Sequence, residues 1–555
     1  MAPQRPLTHD RTRPRRTGCD RRLAAVAALA FLATLAATTP PATAASHRLS
    51  QGLPFSDVSG STLSPDGQFA VYIHDAEIDG AGELWSVRLA GGAPVRLSSP
   101  LPTGVRVDSL EISADSQRVV YQVAQETAGQ RELYSIPIAG PEGAWIKLNG
   151  ELPTDGDVYR FLISPDSARV VYYAYDGVMD AWSVPIDGGT PIRLRPFVTV
   201  VGSQVVHGQG TPLISPDSER LLFFANFSNL AYFDLWTARL DGTGAIVRLT
   251  ESTANTSFLG VTGFSPDSTR VLYIRSLEED LTNRELYSVP SAGGSAVKLN
   301  GVLTPGGNVW NYLFSPDSTR VVYFGPQQIV GITELYSVPL AGGGATKLND
   351  VLPFPGGVSD PTISPDGARV VYRANRDTAD VDELYSVPLA GGAVTKLNPS
   401  LPTGRDVTAL AIAPDSSRVV YLADQRLNDV QEVFSVPLAG GASVRVSDDP
   451  VFGGDVSDFE IAPGSDFVFY RGDILTDGVH ELFRGRIADI SGADDRMSGP
   501  MASGGEVSQA WAVLPDGRQV VYSADEEVDE RDDLYVGDPC LLCDGFEAGD
   551  SGRWD

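Results

Sequence analysis

The sequence predicts an all-β protein, a β-propeller of about ten four-stranded blades. Three observations carry that reading. One motif, a Ser-Pro-Asp turn, a Val-Val-Tyr strand and then Glu-Leu-Tyr-Ser-Val-Pro-Leu-Ala-Gly-Gly, recurs every 49 to 52 residues. Its centres are Asp66, Asp115, Asp166, Asp217, Asp267, Asp317, Asp366, Asp415, Gly464 and Asp516. Each repeat reads as four short strands separated by turn residues, and both chain ends carry pieces of one further strand set. A period of this size means that each unit buries its faces against its neighbours.

In the repeat around Asp166 the first strand is expected over 159–164, the second over 169–173, the third over 181–186 and the fourth over 191–194. Proline sets φ at the second position of Ser164-Pro165-Asp166-Ser167, and Gly188-Gly189 tolerates φ > 0, so the connections are hairpins and the pairing is antiparallel. The second strand ends in an aromatic ring in all ten repeats, for example Tyr172 and Tyr323. The third carries another, for example Trp182 and Tyr336. Such rings suit the wedge between adjacent blades. An acidic residue stands two positions before the third-strand ring, and arginine opens eight second strands. Strand direction puts these two sets at opposite ends of the hairpin, and both are read as edge and turn hydrogen bonding, with calcium as the lesser reading of the acidic set.

Nine repeats finish in a fourth strand of the form Lys/Arg-Leu-Asn/Ser or a close variant, but the tenth stops near Val536. His47-Arg48-Leu49-Ser50 matches Val95-Arg96-Leu97-Ser98. The N-terminus is therefore expected to complete the last blade and close one ring, which removes exposed sheet edges. Two rings in series are the alternative.

Residues 1–44 read as a secretory signal: a basic stretch with Arg13, Arg15, Arg16, Arg21 and Arg22, an apolar run over 23–35, and Ala42-Thr43-Ala44 as a cleavage site. The run is shorter than the roughly 20 residues of a membrane span. The expected organisation is a signal over 1–44, the propeller over 45–538 and a tail over 539–555. Export to the periplasm, the cell surface or the medium follows, with no transmembrane segment in the mature chain. The full chain has 42 basic and 71 acidic residues, a formal charge of −29; without seven arginines and two aspartates of the leader it is −34. Such acidity opposes nucleic acid as a partner. In the tail, Cys540 and Cys543 form a Cys-x-x-Cys pair. An exported chain makes a local disulfide the plain expectation, with a sorting or surface-attachment role as the sharper one.

The motif Ser-Pro-Asp-Gly/Ser-x-Arg-Val-Val-Tyr followed by Glu-Leu-Tyr-Ser-Val resembles the WD-like (PD40) repeat of TolB-type propellers, also present in the propeller domains of prolyl oligopeptidase relatives. The resemblance covers 47 to about 537. The period here exceeds the roughly 40–45 residues of WD-type blades, and ten repeats exceed the usual number. No segment matches the N-terminal domain of TolB, so a role in the Tol system is not implied. Some TolB-like propellers are polysaccharide lyases that gather histidines around a metal. Here His47, His74, His207 and His480 are spread around the repeats, and no Gly-x-Ser-x-Gly or His-Glu-x-x-His motif occurs.

Variation then points to a working surface. The Ser-Pro-Asp and Gly-Gly turns fall on one face and are nearly uniform, whereas the second-to-third-strand loops and the links between blades fall on the other and differ. At the channel mouth on that variable face lie the candidate ligand-binding residues Asp157, Tyr159, Arg160, Asn308, Trp310, Asn311, Asp360, Asp406, Asp455 and Asp458. The expected function is an exported, non-catalytic, monomeric platform that binds a protein or polysaccharide of the cell envelope and needs no cofactor. A carbohydrate-active, lyase-like enzyme on the same scaffold is the alternative.

Overall fold

The computed structural model describes residues 45–49, 58–75, 80–175, 178–194, 205–206, 212–226, 233–250, 256–277, 280–488, 494–501, 505–526 and 533–538. The leader, His207 and the tail with Cys540 and Cys543 lie outside them. The described residues form strands and turns, and among them no helix is long and apolar enough to cross a membrane. Ten antiparallel sheets follow one another as blades: one (58–96), two (109–147), three (158–193), four (205–248), five (256–298), six (311–347), seven (356–396), eight (407–445), nine (456–496) and ten (507–538). The fold is a β-propeller.

Blade three shows the plan. Val158–Ile163, Arg169–Tyr175, Met179–Pro185 and Ile192–Arg193 pair in that order. First strands of neighbouring blades approach one another, as Gly356–Ile363 does Val407–Ile412 and Val456–Ile461 does Val507–Val513, so they form the inner wall. Blades six and seven are also joined by a parallel bridge from Ile332 and Thr333 to Gly356 and Gly357.

The motif residues hold each hairpin in a repeated way. Ser164 Oγ donates to Asp166 Oδ1 (2.6 Å) and accepts the Arg169 N–H (2.9 Å), while Asp166 Oδ1 accepts the Ala168 N–H (3.0 Å). The next residue, Ser167, has φ 61°, a left-handed conformation that favours glycine. Its use is visible across the seam, where Ser167 Oγ accepts the N–H of Asp115 in blade two at 3.0 Å. The same bond recurs at Asp66–Ser116, Asp166–Ser218, Asp217–Ser268, Asp267–Ser318, Asp366–Ser416 and Asp415–Ser465. Where the sequence has Gly67, Gly367 or Gly517 instead, the strain is absent and no hydroxyl is available. The Ser-or-Gly choice in the motif therefore decides whether a seam is tied at its turn.

In blades two, three and five to ten the paired rings stack on one another. Tyr323 lies directly across from Tyr336 with centroids 5.2 Å apart, and Tyr121 from Tyr134 at 5.6 Å. Each pair then packs on the preceding blade: Tyr121 and Tyr134 share one cluster with Val71, Leu84 and Leu97 of blade one. The wedge reading holds with this addition, that the wedge is filled by a stacked pair.

The acidic position has a partner that the sequence reading did not assign. In blades one to nine the fourth strand brings a Lys or Arg onto that carboxylate, as in Arg96–Glu83, Lys347–Glu334 (2.6 Å), Lys396–Glu383 (2.6 Å) and Arg445–Glu432 (3.1 Å). The pairs Lys147–Glu132, Arg193–Asp180, Arg248–Asp234, Lys298–Glu285 and Arg496–Glu481 complete the series. The second-strand arginines instead bind third-strand serines, for example Arg369 Nε to Ser386 Oγ at 2.6 Å. The Asn or Ser that ends the motif accepts a third-strand N–H, as Asn398 Oδ1 does from Leu384 at 2.7 Å.

Blade ten takes its fourth strand from the other end of the chain. Ala45–Arg48 pairs antiparallel with Asp533–Asp538, in the register Ala45↔Asp538 to Arg48↔Tyr535. Arg48 Nη2 lies 2.7 Å from the buried carboxylate of Asp533, the position that Lys347 holds on Glu334. Leu49 joins Tyr72 and Val87 of blade one and Val521 and Leu534 of blade ten in one hydrophobic cluster. Each such buried side chain contributes about 1.5–3 kcal/mol.

Two outcomes test these contacts. Ser167→Ala keeps the strained backbone but loses the seam hydrogen bond, and should lower stability by about 1–2 kcal/mol in urea unfolding, whereas Ser167→Gly, which relieves the strain, should cost less. Arg48→Ala should destabilise as much as Lys347→Ala, on the order of 3 kcal/mol or more, because both take the cation from a buried carboxylate; a shift within error of zero for Arg48→Ala alone would make the terminal strand dispensable.

Candidate functional site

The ten sequence candidates separate into three structural groups. Asp157, Asn308, Asp406 and Asp455 are inter-blade clasps. Each stands before a buried valine whose N–H donates to a carbonyl at the start of the preceding blade's third strand, and its own side-chain oxygen accepts the N–H of that same residue. The accepted bonds are Arg131 N to Asp157 (2.8 Å), Arg284 N to Asn308 (3.0 Å), Asp382 N to Asp406 (2.7 Å) and Gln431 N to Asp455 (2.6 Å). Asp157 also meets the Arg131 guanidinium at 3.1 Å.

Tyr159, Arg160, Trp310 and Asn311 are exposed at the starts of their first strands. Arg131 stands over the Tyr159 ring at 5.9 Å. Arg160 faces Glu111, whose carboxyl is pushed up by burial against the hydrogen bond from Ile163 N and the pull of Arg160. Asn311 edges an apolar hollow of about 430 Å³ formed with Leu213, Phe264, Tyr312 and Phe314.

Asp360 and Asp458 occupy one position in two blades, and each holds an arginine. Asp360, at φ 47° on a bulge, takes Arg373 Nε at 2.9 Å, and Arg373 Nη1 continues to the Val407 carbonyl at 2.6 Å. Asp458 takes Arg471 Nε (3.0 Å) and Nη2 (2.9 Å), and Arg471 continues to the Val507 carbonyl at 3.4 Å. Asp458 also accepts the Trp511 indole N–H at 2.6 Å. Around it opens a polar cleft of about 700 Å³ with Ser457, Arg471, His480, Glu506, Ser508 and Gln509 on its walls. His480 Nδ1 is 3.1 Å from Glu506 Oε2.

Arg471, Glu506 and Trp511 were not picked from the sequence, and His480 was noted only as one of four histidines spread around the repeats. The available signal was local. At the position of Arg471 the other repeats carry Ile73, Gln122, Tyr173, Phe224, Ile274, Phe324, Arg373, Leu422 and Ser523, so a buried arginine there is a departure from the apolar norm. No group of three or more His, Cys, Asp or Glu among the described residues is disposed to hold a metal ion.

One half-buried carboxyl near these blades has its protonation shifted by its surroundings. Asp494 accepts from the Tyr470 hydroxyl and from Asp448 N at 2.8 Å, while Asp448 Oδ2 accepts Asp494 N at 3.2 Å. Burial, reinforced by the Asp448 and Asp495 carboxyls and opposed by the Tyr470 hydrogen bond, pushes Asp494 up to about 7. A carboxyl raised in the folded state binds its proton more tightly there, so its contribution falls away as pH rises from about 4 to about 7. Asp494→Asn should therefore raise the melting temperature at pH 8 and leave little gain at pH 4, measured by calorimetry across that range.

No family model and no curated protein matches this chain. Among solved structures, it is similar to dipeptidyl peptidase 4 of Porphyromonas gingivalis at 12% identity and TM-score 0.45, over 74% of this chain and 64% of that one. An oligogalacturonate lyase in complex with manganese is similar at 14% identity and TM-score 0.33, over 71% of this chain and 99% of that one. A putative TolB from Agrobacterium tumefaciens is similar at 22% identity and TM-score 0.26, over 51% and 90%. The chain thus spans under two thirds of the peptidase's length.

Proposed function

We propose that this protein is an exported, non-catalytic interaction platform, a single ring latched by its N-terminal strand, that binds a protein or glycan of the cell envelope through the face of links and second-to-third-strand loops. The observation that supports it most is the placement of exposed apolar side chains. Of the large exposed hydrophobics among the described residues, Ile146 and Val297 lie in fourth strands. The other twelve lie on the variable side: Tyr159, Tyr175 and Trp310 at strand ends, Val302, Val351, Phe354, Val451 and Phe452 in links, and Ile329, Val330, Leu427 and Leu475 in loops. Singly exposed hydrophobics are ordinary, but their confinement to one face of blades built from the same motif points to a contact surface. Phe452 is fully exposed and Phe354 is 70% exposed.

The second reading, a carbohydrate-active enzyme, has one observation on its side: an imidazole oriented by a carboxylate, His480 with Glu506, in an open polar cleft. Incubation with a polysaccharide panel separates the two, since new reducing ends or unsaturated products would favour the enzyme.

The platform is tested by comparing retention of envelope proteins and glycans on immobilised protein. Phe354→Ser with Phe452→Ser, or Tyr159→Ala with Trp310→Ala, should weaken the retained partner by about tenfold or more while leaving the melting temperature unchanged. Ala168→Glu with Ala368→Glu, exposed on the turn face, should leave retention intact. The opposite pattern would place the working surface on the turns.

A further inference from the structure

The cleft between blades nine and ten is lined mainly by polar and charged side chains. Arg471 is only 7% exposed, and a guanidinium so placed is costly unless well paired. It is paired with Asp458, which is held from a third side by Trp511, so the charged floor of the cleft is fixed in position before any ligand arrives. His480 and Glu506 form a second pair in the lining, 3.1 Å apart. Of the same lining, among the described residues, the Ser457 hydroxyl, the Gln509 amide and His480 Nε2 make no hydrogen bond to protein, which leaves their donors and acceptors unused.

The kind of ligand follows from this pattern. Two carboxylates against one guanidinium leave the walls neutral to slightly negative, which disfavours phosphates and uronates. A hydroxyl and an amide each donate and accept at once, and the imidazole nitrogen adds an acceptor. A vicinal diol matches such a set, since each of its hydroxyls also does both. The volume, about 700 Å³, is within the usual range of small-ligand sites.

We propose that this cleft binds a neutral saccharide, one or two hydroxyl-rich rings. The proposal rests on the glycan branch of the platform reading and gives it a location distinct from the exposed apolar side chains. The full mature protein is titrated by ligand-observed NMR with methyl glucoside, methyl galactoside, N-acetylglucosamine, maltose and cellobiose, with galacturonate as the anionic probe and agmatine as the cationic one. At least one neutral sugar should bind, and Ser457→Ala with Gln509→Ala should weaken it by about tenfold. Neither change touches the pairs that hold the cleft, and Phe354→Ser with Phe452→Ser should leave the affinity unchanged.

No neutral sugar binding up to about 50 mM, binding indifferent to the Ser457/Gln509 double change, or preference for galacturonate or agmatine would each overturn the assignment. If sugars fail while an envelope partner still depends on Phe354 and Phe452, the cleft proposal alone falls. If sugars bind and that partner dependence is missing, the platform reading alone falls.

Discussion

The structure depends on the seam between neighbouring blades. A four-stranded sheet of this motif is apolar on both faces and has no way to bury either by itself. Each of the ten hydrophobic clusters accordingly draws its residues from two consecutive blades, and one of them draws on blades ten and one. Within a blade the repeated polar residues satisfy what packing cannot: a buried acid meets a fourth-strand cation, and a fourth-strand amide or hydroxyl meets a third-strand N–H. The motif is long because it encodes a blade and both of its seams.

The two faces of the blades follow different rules for the same reason. On the turn face, a serine in a left-handed conformation reaches the preceding turn, so its identity is constrained by its neighbour. Seam six–seven has Gly367 there instead, and it carries a parallel bridge between Ile332–Thr333 and Gly356–Gly357 on the other side. On the link face, clasps such as Asp406 and Asp455 need only one side-chain oxygen and one N–H, which leaves adjacent positions free to vary. Tyr159, Trp310, Asp360 and Asp458 stand two or three residues beyond such clasp positions or their equivalents, and the polar cleft forms where one of these free positions became charged.

Much of the fold was legible because it is periodic. The spacing of Ser-Pro-Asp and Gly-Gly marked the turns between first and second and between third and fourth strands in most repeats, and the match between 47–50 and 95–98 located the strand that pairs with Asp533–Asp538. The acid–base pairs were less legible, since Glu383 and Lys396 meet only through the curl of the third hairpin. The candidate site was the least legible. Asp157, Asn308, Asp406 and Asp455 look like free channel-mouth groups in a linear reading, yet the repeat turns them toward backbone N–H groups of the preceding blade. Conversely, Arg471, His480 and Glu506 are brought together by a hairpin and a seam, and periodicity is silent about the variable positions from which they come.

The claim at the centre of this account is that every blade, including the one assembled from both chain ends, is held by the same contacts. Native-state hydrogen exchange followed by mass spectrometry tests it most directly, by comparing the third strand of blade ten, Asp533–Asp538, with its counterpart in blade seven, Glu383–Pro388. The account requires both strands to be protected to the same degree, because Ala45–Arg48 covers the first as Thr395–Lys396 covers the second. Exchange of Asp533–Asp538 on the timescale of an open sheet edge, with Glu383–Pro388 still protected, would contradict it.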